Sequence, residues 1–259
     1  MSANLMPEKQ QNFRKKYKDN ISRWYNGWGH LISIFGPGLA VIFYCAIQLE
    51  NVRGIEIILL IPIFIGYNFC EWWLHKNAMH KPIKGFRDIL LPVFHRHVHQ
   101  HHQYFSAQHM SYDTNREWRI VLFPPYALLI FMALTLPGAV AVGSLWSSNM
   151  GYLLMMLTPI YYLNYEVFHL CCHVENNWFV RYCPLVNTIR RHHAAHHSIP
   201  IMMERNMNLT YPIADYLMGT SDLNRGLLGH LFNGYNTRYV RKEYVDDQGS
   251  DLTKTAGAT

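Results

Sequence analysis

The chain is poor in charged residues and in cysteine, and each shortage excludes a class of protein. Only 15% of its 259 residues are charged, whereas 50% are hydrophobic and 14% are aromatic. Soluble domains carry about a quarter charged residues, so this composition argues against an ordinary soluble enzyme. It also excludes intrinsic disorder, which requires low hydrophobicity. The five cysteines form no CxxC pair, which argues against a zinc ribbon and against a disulfide scaffold.

Four long apolar stretches follow a polar, basic N-terminal segment. Each approaches or exceeds the ~20 residues that an α-helix needs to cross a membrane. They are Leu31–Leu49, Gly54–Cys70, Ile120–Trp146 and Met150–Cys172. The sequence therefore predicts an all-α, polytopic membrane protein with about four transmembrane helices, rather than a soluble helical protein with a very apolar core. The second and fourth stretches also fit partly buried or re-entrant helices, because one is short and the other ends in ionisable residues.

The basic residues lie on one side of this predicted topology. Of the 23 lysines and arginines, 22 fall in the N-terminal segment, in residues 71–119 or after residue 172, and only Arg53 lies in the other connections. The positive-inside rule then predicts that both termini and residues 71–119 are cytoplasmic. The basic charge is expected to set topology and to face lipid, and no nucleic-acid partner is expected. We expect an interfacial segment over residues 1–30, a membrane-embedded domain over 31–230 and a polar tail over 231–259.

Sixteen residues are histidine, and most of them form four clusters beside the predicted cytoplasmic ends of the apolar stretches. Imidazole is a common ligand of transition metals. Four separate clusters that converge on one face of a membrane predict a specific metal site in a cytoplasmic helical cap. The clusters are His75 and His80; His95, His97, His99, His101 and His102; His169 and His173; and His192, His193, His196 and His197.

The spacing within the clusters favours a shared site. His169 and His173 are four residues apart, one helical turn along the same face. His193, His196 and His197 spread over about 100° of a helix, which suits ligands that are divided between two neighbouring ions. The first cluster is less regular, because a five-residue spacing turns the two rings about 140° apart on an α-helix. We expect Pro82 to end that helix and to leave His80 free to turn inward.

The second cluster allows two assignments. His97, His101 and His102 form an HxxxHH pattern. His95, His99 and His102 form a narrower helical stripe, which periodicity alone slightly favours.

The number and type of these ligands predict two metal ions. Ten well-placed histidines are too many for one ion, and nitrogen ligands suit iron, zinc, copper or nickel. Carboxylates are few, but Glu71 and Glu166 precede His75 and His169 by four and three residues. They are therefore predicted to accept hydrogen bonds from ligand N–H groups. A nearly all-imidazole site beside lipid favours redox chemistry with dioxygen on an apolar substrate.

The ordered clusters HxxxxH (75–80), HxxxHH (97–102), HxxxH (169–173) and HxxHH (193–197) resemble those of the fatty acid hydroxylase and sterol desaturase superfamily. Members of this superfamily are integral-membrane di-iron oxygenases. The flanking segments REWRIVLFPP, YEVFHLCCH and NMNLTYPIADYLMGTSD are similar to its motifs, and the resemblance covers roughly residues 65–225. Asp215 lies in the last of these segments and is a third candidate for a carboxylate that supports the ligands.

The resemblance implies two iron ions, which zinc can replace in purified protein, and a reaction that uses dioxygen and two electrons. The expected outcome is hydroxylation or desaturation of a C–H bond in a lipid such as a fatty acyl chain or sterol. The residues before the first stretch are too few for a cytochrome domain, so a separate electron donor is expected: a cytochrome b5-like protein, a ferredoxin or a reductase. The family favours His97 over His95 or His99 and leaves His192 out. The implied ligands are His75, His80, His97, His101, His102, His169, His173, His193, His196 and His197.

Two other functions fit a histidine-rich membrane protein. A membrane zinc hydrolase would work without oxygen or reductant. A metal-binding or metal-transport protein would need ionisable residues along the middle of its spans, and the first and third stretches contain none.

Overall fold

The computed structural model describes residues 6–82 and 87–244, and every regular element in those ranges is helical. The predicted all-α fold is therefore confirmed, whereas most of the predicted polar tail lies outside the described residues. The α-helices are α1 (Glu8–Asp19), α2 (Gly27–Ile47), α3 (Gly54–Ile58), α4 (Leu60–Trp73), α5 (Arg87–Phe94), α6 (His102–Tyr104), α7 (Trp118–Val121), α8 (Tyr126–Leu145), α9 (Ser148–His173), α10 (Trp178–Tyr182), α11 (Val186–His196), α12 (Ile213–Leu217) and α13 (Leu227–Leu231). Two π-helical segments, Leu74–Met79 and His95–His101, and two 3₁₀ turns, Asn115–Glu117 and Lys242–Tyr244, complete the set.

Three helical stretches are long and apolar enough to cross a membrane. They are Gly27–Ile47, Gly54–Met79 and Asn115–Leu145, and less than a fifth of the most apolar part of each is buried within the protein. Their exposed surfaces carry large aliphatic and aromatic side chains, which a bilayer would cover. These stretches coincide with the first three apolar runs of the sequence.

The fourth apolar run forms α9, a helix of different character. It is the central helix of the described structure, since 15 of its 26 residues are buried and it packs against α2, α8 and α11. Its approach to α8 depends on Gly151, where a Cβ atom would lie 2.7 Å from the Ala139 carbonyl oxygen. Helix α9 is not among the stretches that meet the length and hydropathy of a membrane span. The count of four transmembrane helices therefore stays a prediction.

A separate set of polar contacts lies at each end of α9. At its N-terminal end, the Asn149 side chain bonds to the backbone of Glu50, and the Ser147 hydroxyl donates to buried Glu56. At its C-terminal end lie the histidine clusters. Helix α1 also lies at this second end, where Gln10 donates to the Tyr104 carbonyl oxygen at 2.9 Å. The N-terminal segment and residues 95–119 thus share one end of the bundle.

Candidate metal centre

Nine of the ten implied ligands come together in two compact groups. Within each group, one nitrogen atom from every ring lies within 4.8 Å of the corresponding nitrogen of every other ring. We call them the five-histidine group (His75, His80, His97, His102 and His196) and the four-histidine group (His101, His173, His193 and His197). The groups are adjacent, because His102 of the first stacks on His197 of the second with ring centroids 4.3 Å apart.

The Nε2 atoms point toward each other inside each group. In the five-histidine group, Nε2 of His97 lies 2.8 Å from that of His75, 3.1 Å from that of His80 and 3.0 Å from that of His102. In the four-histidine group, Nε2 of His193 lies 3.0 Å from that of His173 and 3.1 Å from that of His197. Two imidazoles on one metal ion at about 2.0–2.1 Å place their nitrogens roughly 3.0–3.4 Å apart.

The contact between His101 and His197 fits a bound metal ion better than a hydrogen bond between the two rings. Nδ1 of His101 lies 3.2 Å from the Ile120 carbonyl oxygen, and Nδ1 of His197 lies 3.0 Å from that of Phe105. Since a carbonyl only accepts, Nδ1 carries the hydrogen in both rings and Nε2 carries a lone pair. These two lone pairs face each other with the Nε2 atoms 3.2 Å apart. Such a contact is stabilised by a cation between the rings, so the donors fit a metal ion.

The rings are neutral ligands at physiological pH. Burial lowers the pKa of His101 and His197 far below its ordinary value, and neighbouring imidazoles lower it further. Burial lowers the pKa of His196 to about 4. A metal ion binds the deprotonated nitrogen, so these shifts favour metal binding over protonation near pH 7.

A π-helical segment brings the first pair of histidines together. Residues Leu74–Met79 form this segment, and the backbone N–H of His80 donates to the His75 carbonyl oxygen at 3.1 Å, five residues earlier. A π-helix closes i→i+5 hydrogen bonds, so residues five apart lie on the same side. The rings of His75 and His80 are accordingly 4.9 Å apart. On an α-helix the two rings would point about 140° apart. The wider π-helical turn, together with the end of the helix before Pro82, brings them to the same side instead.

A second π-helical segment places the histidines of residues 95–102 on two different sides. It covers His95–His101, and the N–H of His102 donates to the His97 carbonyl oxygen. His97 and His101 are buried in the two groups, whereas His95 and His99 are exposed and lie 5.0 Å from each other on the other side of the segment. The structure thus brings together the HxxxHH set rather than the narrower α-helical stripe, because the stripe assumed 3.6 residues per turn.

Helices α9 and α11, and His197 directly after α11, supply the remaining rings. His196 lies in the five-histidine group, whereas His193 and His197 lie in the four-histidine group, so the structure divides this cluster between the two groups. His169, the tenth implied ligand, lies outside both groups, but its Nε2 is 3.4 Å from that of His101. His192 is turned away and bonds to the carboxylate of Asp215 at 2.9 Å.

The sequence profile of the fatty acid hydroxylase family matches residues 60–220, more than half of the chain. This chain belongs to the fatty acid hydroxylase family. No curated protein and no solved structure gives a significant match. The matched range contains both histidine groups, so the resemblance expected from the histidine motifs is confirmed. Membership of the fatty acid hydroxylase family implies an oxidoreductase with membrane hydroxylase or desaturase activity.

Glu71 and Glu166, which were expected to accept from ligand N–H groups, have other partners, and Asp215 accepts from His192, which is not an implied ligand. His75 donates from Nδ1 to the Met207 carbonyl oxygen at 2.5 Å instead of to Glu71. Glu71 accepts from the backbone N–H groups of Leu209 and Thr210, and Glu166 accepts from that of Phe123. At His75 a backbone carbonyl takes the place expected for Glu71, which instead bonds to residues that follow this carbonyl in the chain.

The sequence analysis missed Glu117, a carboxylate in the segment that lies beside the four-histidine group. This buried carboxylate accepts hydrogen bonds from the Tyr104 hydroxyl and from the backbone N–H groups of Asp113 and Thr114. These two N–H groups lie between Met110 and Ile120, whose carbonyl oxygens accept from Nδ1 of His173 and His101. Glu117 lies far in the sequence from any HxxxH spacing, but the pattern Thr114-x-x-Glu117 is that of a capping box, which the structure contains.

A mostly apolar crevice opens beside both histidine groups. Its walls combine histidine rings with aliphatic and aromatic side chains from the ends of the apolar stretches. The lining residues are Met79, Val93, Arg96, His97, His101, Ile120, Val121, Phe123 and His169. The crevice is narrow, with a volume of about 20 Å³, so an alkyl chain would have to displace lining side chains to lie against rings of both groups.

Proposed function

We propose that the protein is a membrane di-iron oxygenase that uses dioxygen and two electrons to hydroxylate or desaturate a C–H bond of a lipid. The observation that carries this proposal is the pair of adjacent, buried, all-imidazole groups beside an apolar crevice. Hydrolytic metal pairs commonly use carboxylates as bridging ligands and bases. No carboxylate belongs to either histidine group among the described residues.

The ten implied histidines would hold the metal ions, nine in the two groups and His169 beside His101. Two iron ions bound there would supply the activation of dioxygen that attack on an unactivated C–H bond requires. Nitrogen donors also accept zinc, which we expect to bind in place of iron in purified protein.

The residues around the groups would position the substrate and exclude water. Val93, Ile120 and Val121 offer an apolar wall for an alkyl chain, and His97 and His101 also line the crevice. An apolar wall favours an alkyl chain over water and keeps the reacting bond in a dry environment. We therefore propose a fatty acyl chain or a sterol as the substrate.

We further propose that the histidine groups and both termini face the cytoplasm, where a separate electron donor supplies the two electrons. The support is the distribution of basic residues, since 22 of 23 lie in segments assigned to that side. A cytochrome b5-like protein, a ferredoxin or a reductase fits this role.

The test is the full chain in lipid nanodiscs with ferrous iron, a chemical reductant and isotopically labelled dioxygen. We expect a lipid product that gains one labelled oxygen atom or one double bond, and no product from the His101→Ala variant. Lipid turnover without oxygen or reductant would instead support a zinc hydrolase. Metal flux into sealed vesicles without any lipid product would support a transporter. Lipid profiles of a deletion strain and the wild type would identify the substrate.

A further inference from the structure

The irregular segment Arg205–Thr210 supplies hydrogen-bond acceptors to the five-histidine group, and we call it the strap. Its Met207 carbonyl oxygen accepts from Nδ1 of His75 at 2.5 Å, and its Arg205 carbonyl oxygen accepts from Nδ1 of His196 at 2.9 Å. These bonds place the hydrogen on Nδ1 and leave the Nε2 lone pair for a metal ion. The orientation of two rings of this group therefore depends on the position of the strap.

Two buried carboxylates hold the strap. Asp215 accepts from the backbone N–H groups of Met207 at 3.0 Å and Asn208 at 2.7 Å, and Glu71 accepts from those of Leu209 and Thr210. Four consecutive N–H groups in a non-helical segment are thus paired with carboxylate oxygens. All four residues are fully buried, so water cannot replace the carboxylates without opening the strap.

Asp215 has no spare acceptor capacity. Besides the strap, it accepts from the Thr220 hydroxyl at 2.6 Å and from Nε2 of His192 at 2.9 Å. Four donors thus surround its two oxygens, which is the full capacity of a carboxylate. An asparagine at this position would place an NH₂ group against two of these donors and leave them unpaired.

The four-histidine group depends on a different segment. The acceptors for Nδ1 of His101, His173 and His197 are the carbonyl oxygens of Ile120, Met110 and Phe105. All three lie in residues 105–120, and Glu117 accepts from the backbone N–H groups of Asp113 and Thr114, between Met110 and Ile120. None of the hydrogen bonds from these three rings involves the strap.

We propose that Asp215 and Glu71 are positioning residues that control metal binding at the five-histidine group alone, and that Glu117 has the equivalent role at the four-histidine group. The inference rests on the proposed metal centre and adds a separate support for each ion. Loss of one support is expected to lower the affinity for one ion and to leave the affinity for the other unchanged.

The experiment titrates the metal-free full chain in nanodiscs with cobalt(II), whose absorption spectrum reports the geometry of each centre, and counts the bound metal. We expect two ions in the wild type. Loss of a group that orients a ligand weakens metal affinity about 10- to 100-fold. Asp215→Asn should therefore lower the affinity for one of the two ions to this extent. Glu117→Gln should lower the affinity for the other ion, which is recognised by its different absorption spectrum. Glu243→Gln is the matched control, because Glu243 is an exposed carboxylate that contacts the Arg205 side chain and not the strap backbone.

The outcomes separate this inference from the proposed function. A wild-type chain that binds no pair of ions contradicts the metal centre itself. Two ions of unchanged affinity in both Asp215→Asn and Glu71→Gln contradict the role of the strap, and equal weakening of both ions contradicts its selectivity. If neither variant folds, hydrogen exchange of the wild type decides. Removal of metal should speed exchange of the amides of residues 207–210 at least tenfold, and unchanged exchange overturns the proposal.

Discussion

The Nε2 atoms of His101 and His197 lie 3.2 Å apart, although both rings carry their hydrogen on Nδ1. Without a cation, the two lone pairs repel each other in a buried site. Metal removal is therefore expected to destabilise the protein. At a free metal concentration 100 times the Kd, each bound ion contributes about 2.7 kcal/mol to the free energy of unfolding.

The measurement is the apparent melting temperature in detergent before chelation, after chelation and after metal is restored. We expect the melting temperature to fall reversibly on chelation. The His99→Ala variant should show the same fall, because His99 is exposed and belongs to neither histidine group. His197→Ala should show a smaller fall, since it lacks one of the two facing lone pairs. An unchanged melting temperature of the wild type after complete metal removal would contradict a role of metal in stability.

The exposed and buried histidines of residues 95–101 should differ in function. His97 contacts three other rings of the five-histidine group, whereas His95 and His99 contact each other and Phe94. We expect His97→Ala to lower metal content and to reduce turnover by about tenfold or more, because replacement of even an outer partner of a ligand costs about that much. His95→Ala and His99→Ala serve as matched controls and should keep the metal content and the turnover of the wild type. Metal loss in either control would favour the narrower stripe instead.

The crevice should determine the affinity for lipid without affecting the metal. In Val93→Trp, the larger side chain would block the narrow crevice next to His97 through which we propose that the alkyl chain approaches. We expect kcat/KM to fall by about tenfold, equivalent to about 1.4 kcal/mol, mainly through a higher KM. Metal content should match the wild type. Val140→Trp is the control, because Val140 is exposed on the apolar surface of α8. Unchanged kinetics of Val93→Trp would place the substrate elsewhere.

The buried ion pair between Arg191 and Asp222 should make stability depend on pH in the acid range. Burial raises the pKa of Asp222, but Arg191 at 2.6 Å outweighs this effect and holds the pKa below its ordinary value. A carboxyl whose folded pKa is lowered stabilises the protein above the unfolded pKa of about 3.9. That contribution is lost as the pH falls through the folded value.

Asp222→Asn tests this effect. At pH 7 it leaves Arg191 without its charged partner, which costs about 3–5 kcal/mol for a buried pair. The difference in melting temperature between the variant and the wild type should shrink below pH 4. Glu243→Gln, which removes an exposed carboxylate, should show little difference at any pH. A constant difference from pH 7 to pH 3 would contradict the lowered pKa.

The sequence was sufficient for the features that depend on composition and on the order of residues along the chain. Hydrophobicity is a local property, so the first three apolar runs matched helices long enough to span a membrane. The order of the four histidine motifs was sufficient to indicate the family. The spacing of His193, His196 and His197 also predicted that these rings spread over one side of the chain, because α11 is a regular helix that ends at His196.

Only the tertiary structure decided which histidines converge and what holds them. The two π-helical segments change the helical period locally, and packing against distant segments, rather than local spacing, determines where such a turn forms. The same holds for the ligand partners: His75 donates to Met207, 132 residues later, and not to the carboxylate one turn away. Glu71 and Asp215 were identified as carboxylates near the site, but their role in holding a backbone segment depends on contacts that no local pattern encodes.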